Sequence, residues 1–211
     1  MLGIHDLPLF VVTGLLLNLL PGPDSLLIMT RSATQGWRAG SAAALGIGAG
    51  TFVHILAAAF GLSAVLAASS AAFTAVKLVG AAYILYMALG LLKSKKRDGN
   101  AAPLALARLP YRKIFAQGFL TNVLNPKVAL FFLALVPQFI NADAPNKALA
   151  FIVLGCIFNV NGMLWCNALS LFTARVSSRI KLHPAVSLWL GRATGGLFVW
   201  LGVRLALSEQ S

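Results

Sequence analysis

Six stretches of mostly apolar residues follow one another along the chain, at 7–29, 41–65, 71–92, 114–140, 148–172 and 185–207. Each is long enough to cross a membrane as a helix. About 20 apolar residues, rising about 1.5 Å each, span a hydrocarbon core of about 30 Å. The separators are short and carry turn or charge signals: Ser32–Gly40, Ala67–Ser70, Lys93–Lys113, Asn141–Lys147 and Thr173–Pro184. Only Lys93–Lys113 is long enough to act as a linker. The expected architecture is an all-α membrane protein of one domain, 1–211. It comprises a first three-helix repeat at about 7–92, a cytoplasmic linker at about 93–113 and a second repeat at about 114–207. Gly and Ala recur within the spans, as expected where helix backbones approach closely in lipid.

Composition strengthens this pattern. Apolar residues make up 59% of the 211 and charged residues 10%, and the mean hydropathy is +0.84. That leaves too little polar surface to coat a water-soluble fold, since ordinary domains are about 25% charged. A soluble enzyme is excluded. The net charge of +12 would suggest nucleic acid on a soluble protein; here it marks one membrane face, and no nucleic-acid partner is expected. The start of the chain, Met-Leu-Gly-Ile-His-Asp, lacks the basic region of a signal peptide, so the first apolar segment is expected to stay in the mature protein. Cys156 and Cys166 form no CxxC pair and are read as small core hydrophobes.

Orientation follows from the cations. Thirteen of the 17 Lys and Arg lie in or beside the separators after spans one, three and five. The preference of such residues for the cytoplasmic side puts both termini outside the cell membrane. The Lys93–Arg97 run is also suited to anionic lipid headgroups.

Polar residues inside the spans carry the candidate chemistry, because an ionised group within the bilayer is costly and normally faces a cavity or a partner. Asp24 is the one acid inside a predicted span. It follows Pro21-Gly22-Pro23, a run that cannot continue a regular helix because proline lacks the N–H and clashes with the preceding turn. Span one is therefore predicted to break there, with Asp24 opening its second half. Span four repeats the pattern. Gly118 and Asn122 stand 104 residues after Gly14 and Asn18, and Asn125-Pro126-Lys127 then interrupts the helix. Each half holds three spans, so the halves would insert with opposite orientation. Interrupted helices at matching places in inverted halves point to a transporter site.

The residues Pro21-Gly22-Pro23-Asp24, together with Asn122-x-x-Asn125-Pro126-Lys127, Phe131-Phe132 and Pro137-Gln138-Phe139, make the chain resemble the LysE/RhtB family of bacterial amino-acid exporters. The resemblance covers essentially the whole length. It implies a multi-pass protein of the bacterial inner membrane that exports amino acids or close derivatives from the cytoplasm, with protons as coupling ion and no cofactor. Carried over by position, it implies a site of Pro21, Gly22, Pro23, Asp24, Asn122, Asn125, Pro126 and Lys127. The residues themselves add Asn18.

A zwitterion entering lipid needs partners for both charges. Lys127 and the half-helix after Pro126 are expected to attract a carboxylate. Asp24 is expected to meet an ammonium or carry the coupling proton, with an Asp24–Lys127 ion pair in the empty state. His54 is a secondary candidate, as a proton relay or as a packed ring bonded to a neighbouring helix. Asn159, Asn161 and Asn167 are expected to bond between helices, with a cavity role as the alternative. Other readings are a metabolite or metal-ion exporter on the same fold and a thiol-redox membrane protein. Metal transport would want clustered carboxylates, His or Cys, and redox chemistry would want two neighbouring reactive thiols. No P-loop motif supports direct use of ATP. Faces of small residues are compatible with a homodimer.

Overall fold

The computed structural model describes residues 2–62 and 108–176 continuously, with isolated helical positions at 75, 78, 81–82, 85–86, 89, 92–93, 192, 196, 199–200 and 203. Predicted spans three and six fall mainly outside the described residues, as do residues 94–107 of the linker.

Among the described residues the chain is helical without strands; a single antiparallel bridge joins Ile4 and Ile140. Helix α1 is Leu7–Leu19, α2 Pro23–Gln35 and α3 Trp37–Leu56, the last continued by a wider π-turn over Ala57–Leu62. Helix α4 is Tyr111–Val123 and α5 Pro126–Leu130, which runs on as a π-turn (Phe131–Leu135) and a tight 3₁₀ turn (Val136–Phe139). Helix α6 is Lys147–Val176. Among the described residues two continuous helices, Trp37–Gly61 and Lys147–Arg175, are long and apolar enough to cross a membrane. The two broken pairs bring the number to four if each pair is one span.

Proline sets both breaks. A residue before proline is pushed out of the helical region into extended backbone. Leu20 before Pro21 (ψ 124°), Gly22 before Pro23 (ψ −174°) and Asn125 before Pro126 (ψ 106°) all obey this. Pro23 and Pro126 then sit in the first turn of the next helix, where a missing N–H costs nothing. The pieces of span one meet at 55° and those of span four at 48°.

Helix α3 is the central element, packed most extensively on α4 and also on α6 and α2. Its contact with α4 is backbone against backbone. A methyl added at Gly46 would fall on the Phe115 carbonyl, and one added at Gly118 on the Ala43 carbonyl.

Two apolar clusters result. One contains Phe10, Leu17, Ile55, Val128, Phe131, Phe132, Phe139, Phe151, Leu154 and Phe158. The other is made of Ile28, Ala39, Ala43, Ala44, Ile47 and Ile114. Along α1–α2, α3, α4–α5 and α6 alike, the polar positions come between the stretches that feed these clusters. The break residues therefore form a layer between two apolar layers.

At the end beyond the alanine-rich cluster, α2, α4 and α6 are tied together. Buried Arg31 donates to Gln117 Oε1 (2.9 Å), Gln35 bonds both the N–H and the carbonyl of Leu109, and Ser32 pairs with Ser170 (3.0 Å). At the opposite end, the backbone of Gly3–His5 bonds that of Phe139–Asn141.

Candidate functional site

Each break sends its charged side chain into the other. Asp24 is in the first turn of α2, and its Oδ2 accepts from Asn122 Nδ2 (2.9 Å) and Asn125 Nδ2 (3.1 Å), both from break two. Lys127 is in the first turn of α5, and its Nζ donates to the carbonyls of Leu17 (3.1 Å) and Leu20 (3.3 Å) at the end of α1. Those carbonyls have lost their helical partners because α1 stops, and a cation is favoured at a helix C-terminus. The ammonium also lies against Gly22, where an added methyl would stand 3.4 Å from Nζ.

Break two is held by three further bonds. Asn125 caps α5 by accepting from the Lys127 N–H (3.0 Å). His54 Nε2 donates to the Asn122 carbonyl (3.0 Å), and its ring stacks on Phe132 with centroids 6.3 Å apart. The Thr51 hydroxyl lies 3.3 Å from Asn122 Oδ1 and 3.1 Å from the Ile47 carbonyl.

A small cavity of about 30 Å³ sits where the breaks meet. It is lined by Asn18, Asp24, Ser25, Thr51, Asn122, Lys127, Asn159 and Cys166, with Leu17, Ile47, Val128, Phe158 and Met163 as its apolar wall. That volume holds on the order of two water molecules and no amino acid. Two buried polar atoms among its lining residues have no hydrogen-bond partner, Asn18 Nδ2 and Asp24 Oδ1. One is a donor and the other an acceptor.

The structure thus brings together Asn18, Asp24, Asn122 and Lys127, with Asn125 just behind them. Pro21, Gly22, Pro23 and Pro126 shape the backbone. Two expectations need correction. Asp24 and Lys127 share the cavity but are not in ion-pair contact; Asp24 Oδ2 and the Lys127 ammonium are each bonded to the opposite break instead. The start of α5 is capped by Asn125 instead of standing open to a carboxylate. Cys166 packs against the alanine-rich cluster, as expected of a small hydrophobe, and also lines the polar cavity, which Cys156 does not; both are free thiols. His54 takes the second of its two expected roles, a packed ring bonded to the neighbouring helix. Among the asparagines of α6, Asn159 lines the cavity and donates to the Gly48 carbonyl (3.3 Å), while Asn167 bonds the Met163 carbonyl of its own helix.

Sequence reasoning missed the α6 face of the cavity as a set. Asn159, Gly162, Met163 and Cys166 recur at the i, i+3, i+4, i+7 spacing of one helical stripe. Polar Asn159 on a stripe with a glycine was the available signal.

Comparison with known proteins bears on what such a site belongs to. Residues 15–209 match the family described as LysE type translocator. This chain belongs to that family. Over its whole length the LysE-type chain is 30% identical to an uncharacterized membrane protein of Pseudomonas aeruginosa, covering 99% of it. It is 31% identical to a homoserine/homoserine lactone efflux protein of Salmonella typhi, with 96% of each chain covered. It is 26% identical to a leucine efflux protein of Salmonella choleraesuis, with 97% of this chain and 96% of that one covered. No solved structure matches this LysE-type translocator significantly. The protein is therefore a membrane translocator of the LysE type, with apolar helices broken at the residues that build its cavity.

Proposed function

We propose that this protein is a secondary exporter of amino acids with neutral side chains, or of close derivatives, running by proton antiport across the bacterial inner membrane. One observation carries the reading: the cavity between the two breaks offers one unpartnered donor, Asn18 Nδ2, and one unpartnered acceptor, Asp24 Oδ1. A zwitterion supplies the complement, a carboxylate for the amide and an ammonium for the aspartate. Asp24 is the one acid in the predicted spans, so once it holds the α-ammonium none remains for a basic side chain. Ile47, Phe158 and Met163 suit an apolar or weakly polar side chain. The efflux relatives are named for homoserine and leucine, which fits.

The architecture we propose is two inverted three-helix repeats. Support comes from register. Asn18 and Asn122 precede their breaks at an offset of 104, whereas Pro23-Asp24 and Pro126-Lys127 open their half-helices at an offset of 103. The second break is one residue shorter, and acid and base occupy the same position, second in the half-helix. With the Lys- and Arg-rich end in the cytoplasm, both termini lie outside. A proton crossing 100 mV releases about 2.3 kcal/mol, enough for roughly a 50-fold gradient of a net-neutral solute.

The test is export of L-leucine and L-homoserine from cells loaded with dipeptides containing them. Wild type is expected to speed release of at least one. Asp24→Asn and Asn18→Ala, at matched membrane levels, are expected to cut that rate by about tenfold or more, since a hydrogen bond to a charge contributes about 1.5–3 kcal/mol. Wild-type rates in both variants contradict the site.

A further inference from the structure

The Lys127 ammonium occupies a place that a substrate ammonium would also favour. It rests on the carbonyls of Leu17 and Leu20, beside Gly22, in the cavity that Asp24, with its unpartnered Oδ1, also lines. Unwound carbonyls next to a carboxylate form a cation site, and here a lysine of the chain itself fills it. Two ammonium groups cannot share it, because both need the same lone pairs and like charges a few ångströms apart repel strongly in a low dielectric. The bonds around Asp24 give that residue a different part: two amide donors already hold its Oδ2, which fixes the carboxyl group in place.

We infer that Lys127 carries the coupling proton, and that its protonated form and the substrate ammonium occupy the site between the α1 carbonyls and Asp24 in alternation. This rests on the exporter reading above and names the group that couples it to protons. On the cytoplasmic side, substrate entry expels one proton from the Lys127 ammonium to water and leaves a neutral amine. On the outer side, substrate departure lets Lys127 take a proton from water and return to the Leu17 and Leu20 carbonyls, which satisfies them during the return of the empty carrier. Only N–H bonds and the O–H bonds of water are made or broken, and one proton enters for each substrate exported. Among the described residues, the titratable groups that face Lys127 are Asp24 from α2 and Cys166 from α6; His54 from α3 is engaged with the Asn122 carbonyl.

Calorimetric titration of the purified full-length protein with L-leucine or L-homoserine, whichever it exports, tests this in buffers of different ionisation enthalpy. Wild type is expected to release about one proton per amino acid bound, with Kd falling about tenfold per pH unit, as long as Lys127 is protonated in the free protein, and both effects fade once it has titrated. Lys127→Met is expected to bind with no proton release and no such slope. Lys127→Arg, whose side chain keeps its charge, is expected to lose binding at every pH while folding normally. Proton release that persists in Lys127→Met, binding abolished in Lys127→Met despite wild-type folding, or a wild-type slope in Lys127→Arg would each overturn the inference. Wild-type protein that exports and binds without proton release overturns it too and leaves the exporter reading standing. Failure of wild type to export or bind either amino acid instead defeats the exporter reading, and the inference with it.

Discussion

Asn122 connects more of the site than its size suggests. Its amide donates to Asp24, its Oδ1 meets Thr51, and its carbonyl receives both the Asn125 N–H (2.9 Å) and His54 Nε2. It is fully buried, so removing its side chain leaves Asp24 Oδ2 with a single donor and Thr51 short of a partner. A hydrogen bond to a charge contributes about 1.5–3 kcal/mol, and each 1.4 kcal/mol is about a factor of ten. Asn122→Ala is therefore expected to lower initial export rates by about tenfold or more at matched membrane levels, while His54→Gln, which keeps a donor for the Asn122 carbonyl, costs much less. Equal rates in wild type and Asn122→Ala would show that Asp24 does not depend on this amide. At this scale the sequence is legible where a residue type is expensive in lipid. Asn18, Asp24, Asn122 and Lys127 stand out for that reason. Thr51, Met163 and Cys166 do not, because such residues are ordinary in a chain that is 59% apolar, and only the fold aims them at the cavity.

The elements owe their form to proline and glycine. The rule that the residue before proline leaves the helical region accounts for both breaks, which is why their positions can be read in advance to within a residue or two. The hidden part is the one-residue difference in break length. A constant offset of 104 aligns Asn18 with Asn122 but pairs Asp24 with Val128, so the equivalence of Asp24 and Lys127 emerges only when each half-helix is counted from its own start. The crossing of the two charged side chains is likewise a matter of tertiary geometry. Glycine acts through contact: Gly46 and Gly118 let α3 and α4 touch at their backbones. Gly118→Val would drive those backbones apart. Overpacking costs about 1–3 kcal/mol, so detergent-purified Gly118→Val is expected to melt several degrees below wild type and to lose export. The same substitution at Gly36, where an added methyl meets nothing but φ is +85°, separates backbone strain from helix contact. An unchanged melting temperature in Gly118→Val would mean that the α3–α4 contact is looser than the structure has it.

Over the whole molecule, a polar layer is held between two apolar ones. The phenylalanine-rich cluster lies on one side of the breaks and the alanine-rich cluster on the other, and each end of the bundle is tied by its own bonds: Gly3–His5 to Phe139–Asn141 at one, Arg31, Gln35 and Ser32 to their neighbours at the other. A cavity of about 30 Å³ between these layers is too small for an amino acid, so the proposed export calls for one layer to part in turn with the other. Length, hydropathy and the spread of cations make the membrane class legible from the sequence, because they depend on composition alone. The packing of α3 at the centre is not, since every apolar helix presents much the same surface to a reader of one chain.

The most direct test of a substrate site between the two breaks uses Cys166, the thiol that lines it. In membranes carrying Cys156→Ser protein, where Cys166 is the remaining thiol, alkylation by a small maleimide can be timed with and without the exported amino acid. The account predicts that saturating substrate slows labelling of Cys166 several-fold, and that Asp24→Asn removes this protection. Labelling at one rate with and without substrate, at concentrations that saturate export, would contradict it.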